Sequence, residues 1–301
     1  MRMRTWLRIA IAALAVLAVM AGVAARYFRN THTRLTAAPA MPAPRGAARL
    51  PRPAHVVVII DENKAFSDII GDEDAPYLNQ LAARGAVFTQ SYGVAHPSQP
   101  NYFALFAGRT NDNGDACDVA GIPPDAPNLG AAVLASHRSF VGYAEGLPST
   151  GFPGCTSGDY ARKHAPWTHF SAVPGSASRP FTALGRRFDA LPTVAFIIPD
   201  LQDDMHNTDV QHGDAWLRRA IDPLIEWAMK HDTLVVITWD ESSSELGPNR
   251  IPTFFVGPMV KPGRYDEPIS HYRVLRTLED LYGLPHAGAS DGVPPITGVW
   301  R

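Results

Sequence analysis

The chain has 301 residues, of which 46% are hydrophobic, and a formal net charge of -2 at pH 7. That length is sufficient to bury one large α/β core. A near-neutral charge argues against a nucleic-acid-binding protein, which typically carries a basic stripe on its surface. We therefore expect one folded domain over residues 54–301, with no nucleic acid among its partners.

The first 35 residues predict a targeting segment. Arg2, Arg4 and Arg8 form a basic region, and an uncharged apolar stretch from Ile9 to Ala25 follows. The stretch is slightly long for the apolar region of a signal peptide and slightly short for a membrane-spanning helix. A cleaved signal peptide and an uncleaved membrane anchor therefore both stay open. Either segment would export the domain, which would be periplasmic, secreted or anchored to the inner membrane facing outward.

Residues 36–53 predict a linker between this segment and the domain. They are rich in Ala, Pro and Arg and show no hydrophobic period. Such a composition favours an extended, poorly ordered tether. The spacing of the prolines also opposes both a helix and a strand ladder.

The domain contains two cysteines, Cys117 and Cys155. In an oxidising compartment such a pair most simply forms a disulfide bond. Two buried free thiols are the alternative, and two cysteines alone are too few for a typical metal site.

Three short β-branched runs each lead into acidic or polar residues. Continuous apolar runs of this length, separated by helical segments, are typical of buried parallel strands. The three runs are residues 55–60, followed by Asp61-Glu62-Asn63, residues 193–198, followed by Pro199-Asp200, and residues 233–238, followed by Trp239-Asp240-Glu241. In an open α/β sheet the ligand binds outside the carboxyl ends of the strands, and hard oxygen ligands that arrive there suggest a divalent cation. For any single cluster, a solvated turn at the end of a strand is the alternative.

The remaining segments alternate between helix and strand along the chain. Helices are predicted over residues 75–84, 98–107, 128–137, 214–229 and 271–281, and further strands over residues 87–92, 140–143 and 251–256. Residues 144–180 are rich in Gly, Pro and Ser and predict a long active-site loop. This alternation, without an internal repeat, predicts an α/β fold with a central, mostly parallel sheet and helices on both faces.

Ser98 is the first candidate for catalysis because it lies at the start of a predicted helix that ends at Gly108. A serine in that place most often only caps the helix. Its hydroxyl would also face the positive end of the helix dipole and free backbone N–H groups, where a phosphate binds and an alkoxide is stabilised. A nearby cation would lower the pKa of the hydroxyl further.

Three histidines lie in polar loops or at the start of a helix. His206 follows a predicted strand, His271 begins the last helix, and His164 lies beside Lys163 in the long loop. A lone histidine is most often a surface or structural residue, but a core position is not expected for His206 or His271. Such histidines could donate to phosphate oxygens or protonate a leaving group, and Lys163 would add positive charge. Asp214 is expected to cap a helix rather than to bind a ligand.

Seven motifs occur in one order along the chain. They are Glu62-Asn63, His96-Pro97-Ser98-Gln99-Pro100-Asn101-Tyr102, Tyr160 to Pro166, Asp200 to His206, Gly213-Asp214-Ala215-Trp216-Leu217, Thr238-Trp239-Asp240-Glu241 and His271 to Asp280. With them the chain resembles the phosphoesterase family of bacterial and fungal acid phosphatases and bacterial phospholipases C, which belongs to the alkaline-phosphatase-like superfamily. The resemblance covers nearly all of residues 54–300 and implies an alkaline-phosphatase-like fold.

The resemblance implies a metal site and a nucleophile. In the family, a Glu-Asn pair, a serine or threonine nucleophile and an Asp-Glu pair bind a metal. The matching residues in this chain are Glu62, Asn63, Ser98, Asp240 and Glu241. They would hold one divalent ion, which could be Mg, Ca, Mn or Zn, and Ser98 would attack the phosphorus.

The resemblance also implies residues for the phosphate. His206 and His271 would be further catalytic residues that line the phosphate pocket, and the substrate would be bound by His96, Lys163 and His164. Two segments beside the site, Lys64-Ala65 and Ser242-Ser243-Ser244, depart from the family pattern. These departures bear on substrate preference and loop flexibility more than on the chemistry.

The expected function is metal-dependent hydrolysis of phosphate esters through a phosphoserine at Ser98, most similar to that of acid phosphatases that act on phosphomonoesters. A phospholipase C that acts on phospholipid phosphodiesters is the alternative within the enzyme class. A non-catalytic envelope binding protein is a second alternative, although Ser98 and Asp240 are both present. The partner would be a small phosphate ester or a phospholipid headgroup, and the protein would contact the membrane through an uncleaved N-terminal segment.

Overall fold

The computed structural model describes residues 50–301. The predicted targeting segment, residues 1–35, and most of the predicted linker lie outside the described residues. Within residues 50–301, no helix has the length and the apolar character needed to cross a membrane.

The described part of the chain alternates between strands and helices, with short 3-10 turns in the connections. The strands are β1 His55–Asp61, β2 Ala86–Phe88, β3 Ser91–Tyr92, β4 Phe140–Ala144, β5 Thr156–Ser157, β6 Tyr160–Ala161, β7 Ser178–Pro180, β8 Val194–Ile198, β9 Thr233–Trp239, β10 Arg250–Ile251, β11 Thr253–Val256, β12 Gly263–Tyr265 and β13 Ile269–Ser270. The helices are α1 Phe66–Ile69, α2 Pro76–Arg84, α3 Ser98–Ala107, α4 Leu129–Ala135, α5 Val210–Ala220, α6 Asp222–Ala228 and α7 His271–Tyr282.

One large sheet organises the domain, and most of its strand pairs are parallel. Its eight strands lie in the order β12-β2-β11-β9-β1-β8-β4-β7. The central strand β1 pairs in parallel with β8 on one side and with β9 on the other, so that Val57 lies beside both Ala195 and Val235. Only β11 runs antiparallel to its neighbours, β9 and β2. The predicted mostly parallel α/β sheet is confirmed.

Helices cover both faces of this sheet, because alternate residues of β1 point to opposite sides. Val56 and Val58 pack in the core layer that also contains the buried faces of α3, α4 and α7. Val57 and Ile59 pack in the second layer, with α2, α5 and α6. All four valine and isoleucine side chains are fully buried, and each such burial stabilises the fold by about 1.5–3 kcal/mol.

Two predicted elements are each divided in the structure. The strand predicted over residues 87–92 is split into β2, which joins the large sheet, and β3, which lies in a separate three-stranded sheet. The helix predicted over residues 214–229 is two helices, α5 and α6, which meet at Ile221. Pro223 explains the break, because proline is tolerated in the first turn of a helix but not in its interior.

Asp214 caps a helix, but not its own. It lies within α5, and its carboxylate accepts hydrogen bonds from the N–H groups of Tyr77, at 3.1 Å, and Leu78, at 2.7 Å. Those groups are the unpaired donors at the start of α2, whose own first residues supply no side-chain cap. The buried carboxylate therefore satisfies α2 and joins it to α5 across the same face of the sheet.

The loop predicted over residues 144–180 contains short elements of its own and is tied to the rest of the domain. Strands β5 and β6 form a small hairpin, and β7 adds an edge strand to the large sheet. The predicted bond between Cys117 and Cys155 is present, with Cα atoms 5.7 Å apart and a sequence separation of 38. In the chain-entropy model, closing a loop of that size stabilises the fold by about 4 kcal/mol.

Candidate active site

The carboxyl ends of β1, β8 and β9 bring three distant segments of the chain together. Asp61 and Glu62 follow the last hydrophobic residue of β1, Asp240 follows β9, and Asp204 lies in the segment after β8. Because β1 is adjacent to the other two strands, all three segments reach the same edge of the sheet. The backbone N–H of Glu62 donates to the carbonyl of Asp204 at 2.8 Å. The polar cluster is therefore fixed by the sheet itself.

Ser98 faces this cluster from the start of α3. Pro97 occupies the cap position, so Ser98 is the first residue of the helix and its side chain does not cap it. The hydroxyl, on a residue only 2% exposed, donates to Glu62 Oε2 at 2.9 Å and to Glu241 Oε1 at 3.3 Å. The simple capping interpretation is therefore wrong. Every residue of α3 is buried, so the core holds the hydroxyl in place.

The segments around the serine form a buried cluster of carboxylates. Its members are at most 5% exposed: Asp61, Glu62, Asp204, Asp240 and Glu241. Burial raises the pKa of Asp240 to about 6 and is the main cause that raises the pKa of Glu241 to about 8, with the charge of Asp240 contributing next. Neither oxygen of Asp61, nor Oδ2 of Asp240, has a hydrogen-bond partner within residues 50–301.

Such a cluster suits a divalent cation. Unpaired ionised carboxylates are costly in a protein interior, and hard oxygen donors are the ligands that Mg²⁺, Ca²⁺ and Mn²⁺ prefer. The unpartnered oxygens of Asp61 and Asp240 are hard oxygen donors of the type that such cations bind. The donor set present therefore fits the group that the sequence predicts.

Asn63 joins the two predicted ligand pairs. Its backbone N–H donates to Asp240 Oδ1 at 2.9 Å, and its side-chain amide donates to Glu62 Oε2 at 3.1 Å. Its φ of 52° lies in the left-handed region, which asparagine tolerates better than most residues. The two pairs that 177 residues separate in sequence are thus linked through one residue.

His164 lies deepest among the predicted substrate-binding residues. Its Nε2 is 3.2 Å from Glu62 Oε1 and its Nδ1 is 3.5 Å from Asp204 Oδ2. The ring stacks on Tyr102, whose hydroxyl donates to the same oxygen of Glu62. Burial, followed by the nearby Lys163, lowers the pKa of His164 well below its ordinary value. Ligand atoms of Glu62, His164 and Asp204 all lie within 4.8 Å of one another.

His96 and His206 lie at the more open side of the cluster. His96 Nδ1 is 2.5 Å from Glu241 Oε2, and its side chain is 23% exposed. The ring of His206 lies 6.1 Å from that of His164, centroid to centroid. The backbone N–H of His206 donates to Asp204 Oδ1 at 2.8 Å. Both histidines therefore lie where they could meet a ligand that enters from solvent.

His271 lies behind the cluster rather than at its open side. It is 2% exposed, and its Nε2 is 2.7 Å from the carbonyl oxygen of Asp240. Burial lowers its pKa to about 4, against the raising effect of that hydrogen bond. The expectation that His271 avoids a core position is wrong. The contact holds the turn that carries Asp240 and Glu241.

Lys163 points to a carboxylate that the sequence prediction did not include. Its Nζ lies 2.6 Å from Asp115 Oδ2. Asp204 and Tyr102 were likewise not predicted as members of the site, although both lie within the seven motifs that carry the family resemblance. Tyr102 could have been found from its spacing, because it lies four residues after Ser98 on one helix and so on the same face. Asp115 and Asp204 lie in irregular segments that carry no periodic signal.

Asp200 is not part of the buried cluster. It lies with Glu145 and Asp203, whose ligand atoms approach within 4.8 Å of one another in a separate, half-buried group. The segment that follows β8 reaches the buried carboxylate cluster through Asp204 instead. The prediction of a convergent acidic edge therefore stands, with a different residue after β8.

Comparisons with known proteins agree with this geometry. The model of the phosphoesterase family matches residues 72–285. A phosphatidylinositol-3-phosphatase of Mycobacterium tuberculosis is 46% identical over 257 residues, which cover 84% of this chain and 85% of that protein. The chain belongs to the phosphoesterase family.

Fungal relatives of this phosphoesterase are longer. A phosphate-repressible acid phosphatase of Penicillium chrysogenum is 32% identical over 248 residues, which cover 76% of this chain and 59% of that protein. An acid phosphatase of Aspergillus fumigatus is 30% identical, with 76% of this chain and 55% of that protein covered. The chain thus spans little more than half of these acid phosphatases. With these relatives and its family, the phosphoesterase is a phosphoric ester hydrolase.

Solved structures show the same fold as this phosphoesterase. A protein of the alkaline phosphatase superfamily from Vibrio parahaemolyticus superposes with a TM-score of 0.58 at 14% identity, over 83% of this chain and 72% of that chain. A phosphonate monoester hydrolase from Silicibacter pomeroyi superposes with a TM-score of 0.55 at 13% identity, over 82% and 78% of the two chains. The predicted alkaline-phosphatase-like fold is confirmed.

Proposed function

We propose that the protein is a metal-dependent phosphomonoesterase of the acid-phosphatase type that uses Ser98 as its nucleophile. One observation carries the proposal: the Ser98 hydroxyl lies between the carboxylates of Glu62 and Glu241, at 2.9 and 3.3 Å, inside a buried acidic cluster. A serine there has proton acceptors, a rigid helix behind it and ligands for a cation beside it. The shared fold and the phosphatase relatives support the same reaction.

The residues that would hold the cation are Glu62, Asn63, Ser98, Asp240 and Glu241, and the oxygen donors fit Mg, Ca, Mn or Zn. A bound divalent ion supplies positive charge that neutralises phosphate oxygens and favours the alkoxide form of a serine. Asp61 directly precedes Glu62 in sequence and is fully buried. Burial raises the pKa of its unpartnered carboxyl group well above the ordinary value, and a cation bound nearby would favour the ionised form.

Two displacements at phosphorus account for the reaction. In the first, the bond between Ser98 Oγ and phosphorus forms, the bond to the ester oxygen breaks, and the serine proton passes to Glu62 or Glu241, which already accept it in a hydrogen bond. The leaving alcohol takes a proton from a histidine or from water. In the second, water attacks phosphorus and the bond to Oγ breaks. Ser98 regains the proton from Glu62 or Glu241, and the proton that the attacking water loses passes to the histidine or to solvent.

Charge neutralisation and positioning have to supply most of the acceleration. Phosphate monoesters hydrolyse very slowly without a catalyst, so the site must lower the barrier by on the order of 20 kcal/mol or more. His96 and His206 lie at the open side of the cluster, where they would bind the phosphate, and His164 would orient Glu62. His271 acts on Asp240 rather than on the phosphate in this proposal, since its Nε2 contacts the backbone there.

The substrate class is proposed to be a phosphate monoester, either on a small molecule or on a phosphorylated lipid headgroup. The relative named a phosphatidylinositol-3-phosphatase covers nearly the whole domain and supports the lipid form. A phospholipase C activity on phosphodiesters is the rival within the class. Export is proposed as well, because a disulfide bond such as Cys117–Cys155 persists in an oxidising compartment.

One assay tests the proposal. The purified protein is stripped of metal with a chelator, and an aryl phosphomonoester, phosphatidylinositol 3-phosphate and phosphatidylcholine are each offered while divalent ions are added back singly. We expect ion-dependent release of phosphate from the first two and no phosphocholine from the third. Ser98→Ala should be inactive, and Ser176→Ala, an exposed serine far along the chain, should match the wild type. Hydrolysis of phosphatidylcholine alone would favour the phospholipase.

A further inference from the structure

A carboxylate already occupies donors that an incoming phosphate would use. Asp115 lies in the connection between α3 and α4, which returns over the start of α3. Its Oδ1 accepts a hydrogen bond from the backbone N–H of Gln99 at 2.9 Å, and its Oδ2 lies 2.6 Å from Lys163 Nζ. Gln99 is the residue after the proposed nucleophile, and Lys163 precedes His164.

Of these two donors, Lys163 Nζ carries a positive charge, and the Gln99 N–H is a neutral hydrogen-bond donor at the start of α3. Pro100 has no N–H, so the first turn of α3 offers few free N–H groups to an anion, and that of Gln99 is already bonded to Asp115. Lys163 directly precedes His164, whose Nε2 lies 3.2 Å from Glu62 Oε1, and Gln99 directly follows Ser98, whose hydroxyl donates to Glu241 Oε1 at 3.3 Å. Both donors therefore lie next to the proposed metal ligands, where they could act on an anion bound there.

The segment that carries Asp115 is held in place. Cys117, two residues further, is bonded to Cys155. Arg162 donates to the carbonyl of Cys117 at 2.7 Å and to the carbonyl of Pro153 at 2.6 Å. The side chain of Asp115 nevertheless remains 32% exposed. The backbone of this segment is therefore fixed, and the carboxylate is partly open to solvent.

We propose that Asp115 weakens the binding of phosphate by competing with it for Lys163 and for the Gln99 N–H. The inference rests on the proposed function of the site. A dianionic phosphate must displace the carboxylate from these donors or bind beside a like charge, and either course weakens its binding. Binding of the inorganic phosphate that hydrolysis releases is weakened in the same way, so Asp115 favours release of the product from the site.

The test compares Asp115→Asn with the wild type. Asparagine keeps the shape and an oxygen that can accept from Gln99, but it removes the charge. We expect the competitive inhibition constant of inorganic phosphate, measured against an aryl phosphomonoester, to fall about 10-fold, a size common for coupling between sites. The KM for the ester should fall with it, and kcat should not rise, since product leaves more slowly.

Three further variants keep the comparison specific. Asp118→Asn removes an exposed acid three residues further along, which lies no closer than 4.0 Å to Arg162, and it should leave the inhibition constant unchanged. Lys163→Met removes the shared donor, so adding Asp115→Asn to it should change the constant less than about 3-fold. Asp115→Ser, which also lacks the charge, should repeat the asparagine result if that variant folds poorly.

The outcomes separate this inference from the proposed function. An inhibition constant that is unchanged or higher in folded Asp115→Asn and Asp115→Ser, with a lower kcat, would show that Asp115 only positions Lys163, and it would overturn the inference while leaving the phosphatase intact. A wild-type protein that neither hydrolyses phosphomonoesters nor is inhibited by phosphate would overturn both.

Discussion

Replacement of His271 by alanine tests whether this side chain serves the fold or the phosphate. The imidazole is 2% exposed and its Nε2 lies 2.7 Å from the carbonyl oxygen of Asp240. Alanine leaves that buried carbonyl without its partner, which costs about 1–3 kcal/mol, and it leaves a cavity as well. We therefore expect the free energy of unfolding to fall by about 3 kcal/mol.

The effect should be visible in both stability and turnover. For a domain of this size, 1 kcal/mol shifts the thermal midpoint by about 2–4 °C, so the midpoint should fall by about 6–12 °C. Because the same hydrogen bond holds the turn that carries Asp240, kcat should fall by about 10²-fold, as displacement of a catalytic group by about 1 Å can do. Differential scanning fluorimetry and steady-state kinetics with an aryl phosphomonoester measure the two effects.

Two control variants show which role is correct. His271→Gln keeps a donor near the carbonyl and should restore much of both losses. His137→Asn should change neither, because His137 is exposed in the turn before β4 and asparagine tolerates its left-handed φ of 60°. A midpoint within about 2 °C of the wild type, together with a 10²-fold loss of kcat, would refute the positional role. It would show that His271 acts directly on the phosphate, as the sequence alone predicts.

Three further outcomes are expected. Ser98→Ala should reduce phosphate release by more than about 10³-fold with circular dichroism unchanged, and acid-quenched wild type should carry phosphate on Ser98. Chelation should abolish turnover and lower the thermal midpoint, because the cation binds only the folded carboxylate cluster. In Glu279, burial raises the pKa from 4.5 to about 7, so its stability contribution is full below about pH 4.5 and is lost as the pH rises through 7. Between pH 5 and 7.5 the free energy of unfolding should fall by about 1–2 kcal/mol less in Glu279→Gln than in the wild type, after allowance for solvent screening. Urea unfolding at the two pH values measures this difference.

Each of these has a contrary result. More than a few per cent of wild-type turnover in Ser98→Ala would exclude Ser98 as the nucleophile. Full activity in protein whose metal content, by mass spectrometry, is far below one ion per chain would exclude a required cation. If Glu279→Gln and the wild type lost stability in parallel between the two pH values, Glu279 would not titrate as described, and Glu245→Gln, at an exposed position, gives the background change.

The strand framework and the place of the site follow from the sequence because they depend on strong, local patterns. Residues 56–60 are apolar at every position, as expected of a strand that is buried on both faces. Parallel strands deliver their carboxyl ends to one edge, so Glu62 and Asp240 could be placed together without coordinates. The helix that begins at Ser98 has an equally local signal in Pro100 and Gly108.

Other features depend on tertiary contacts that no local pattern records. His271 stands at a helix start, where side chains are commonly solvated, but α7 packs against α3 and buries its first residue. Asp214 caps α2, a helix more than 130 residues earlier in the chain. Asp115 lies in an irregular segment, and its two partners, Gln99 and Lys163, come from different parts of the fold. Spacing along the chain cannot reveal such pairs.

The hydrogen bonds from α2 to Asp214 divide the surroundings of the site into a fixed part and an adaptable part. The segment that carries Asp204 and His206 begins at β8 and ends at α5, and α5 is locked to α2 through Asp214. The segment after Glu241 is held at its start by Ser243, whose hydroxyl donates to Asp68 Oδ2 at 2.6 Å, and its tip is open to solvent, where Leu246 is 90% exposed. Within residues 50–301, substitutions that alter the size or charge of the accepted substrate can therefore accumulate in residues 244–248 without loss of the fold, while the β8–α5 connection is constrained to keep its length.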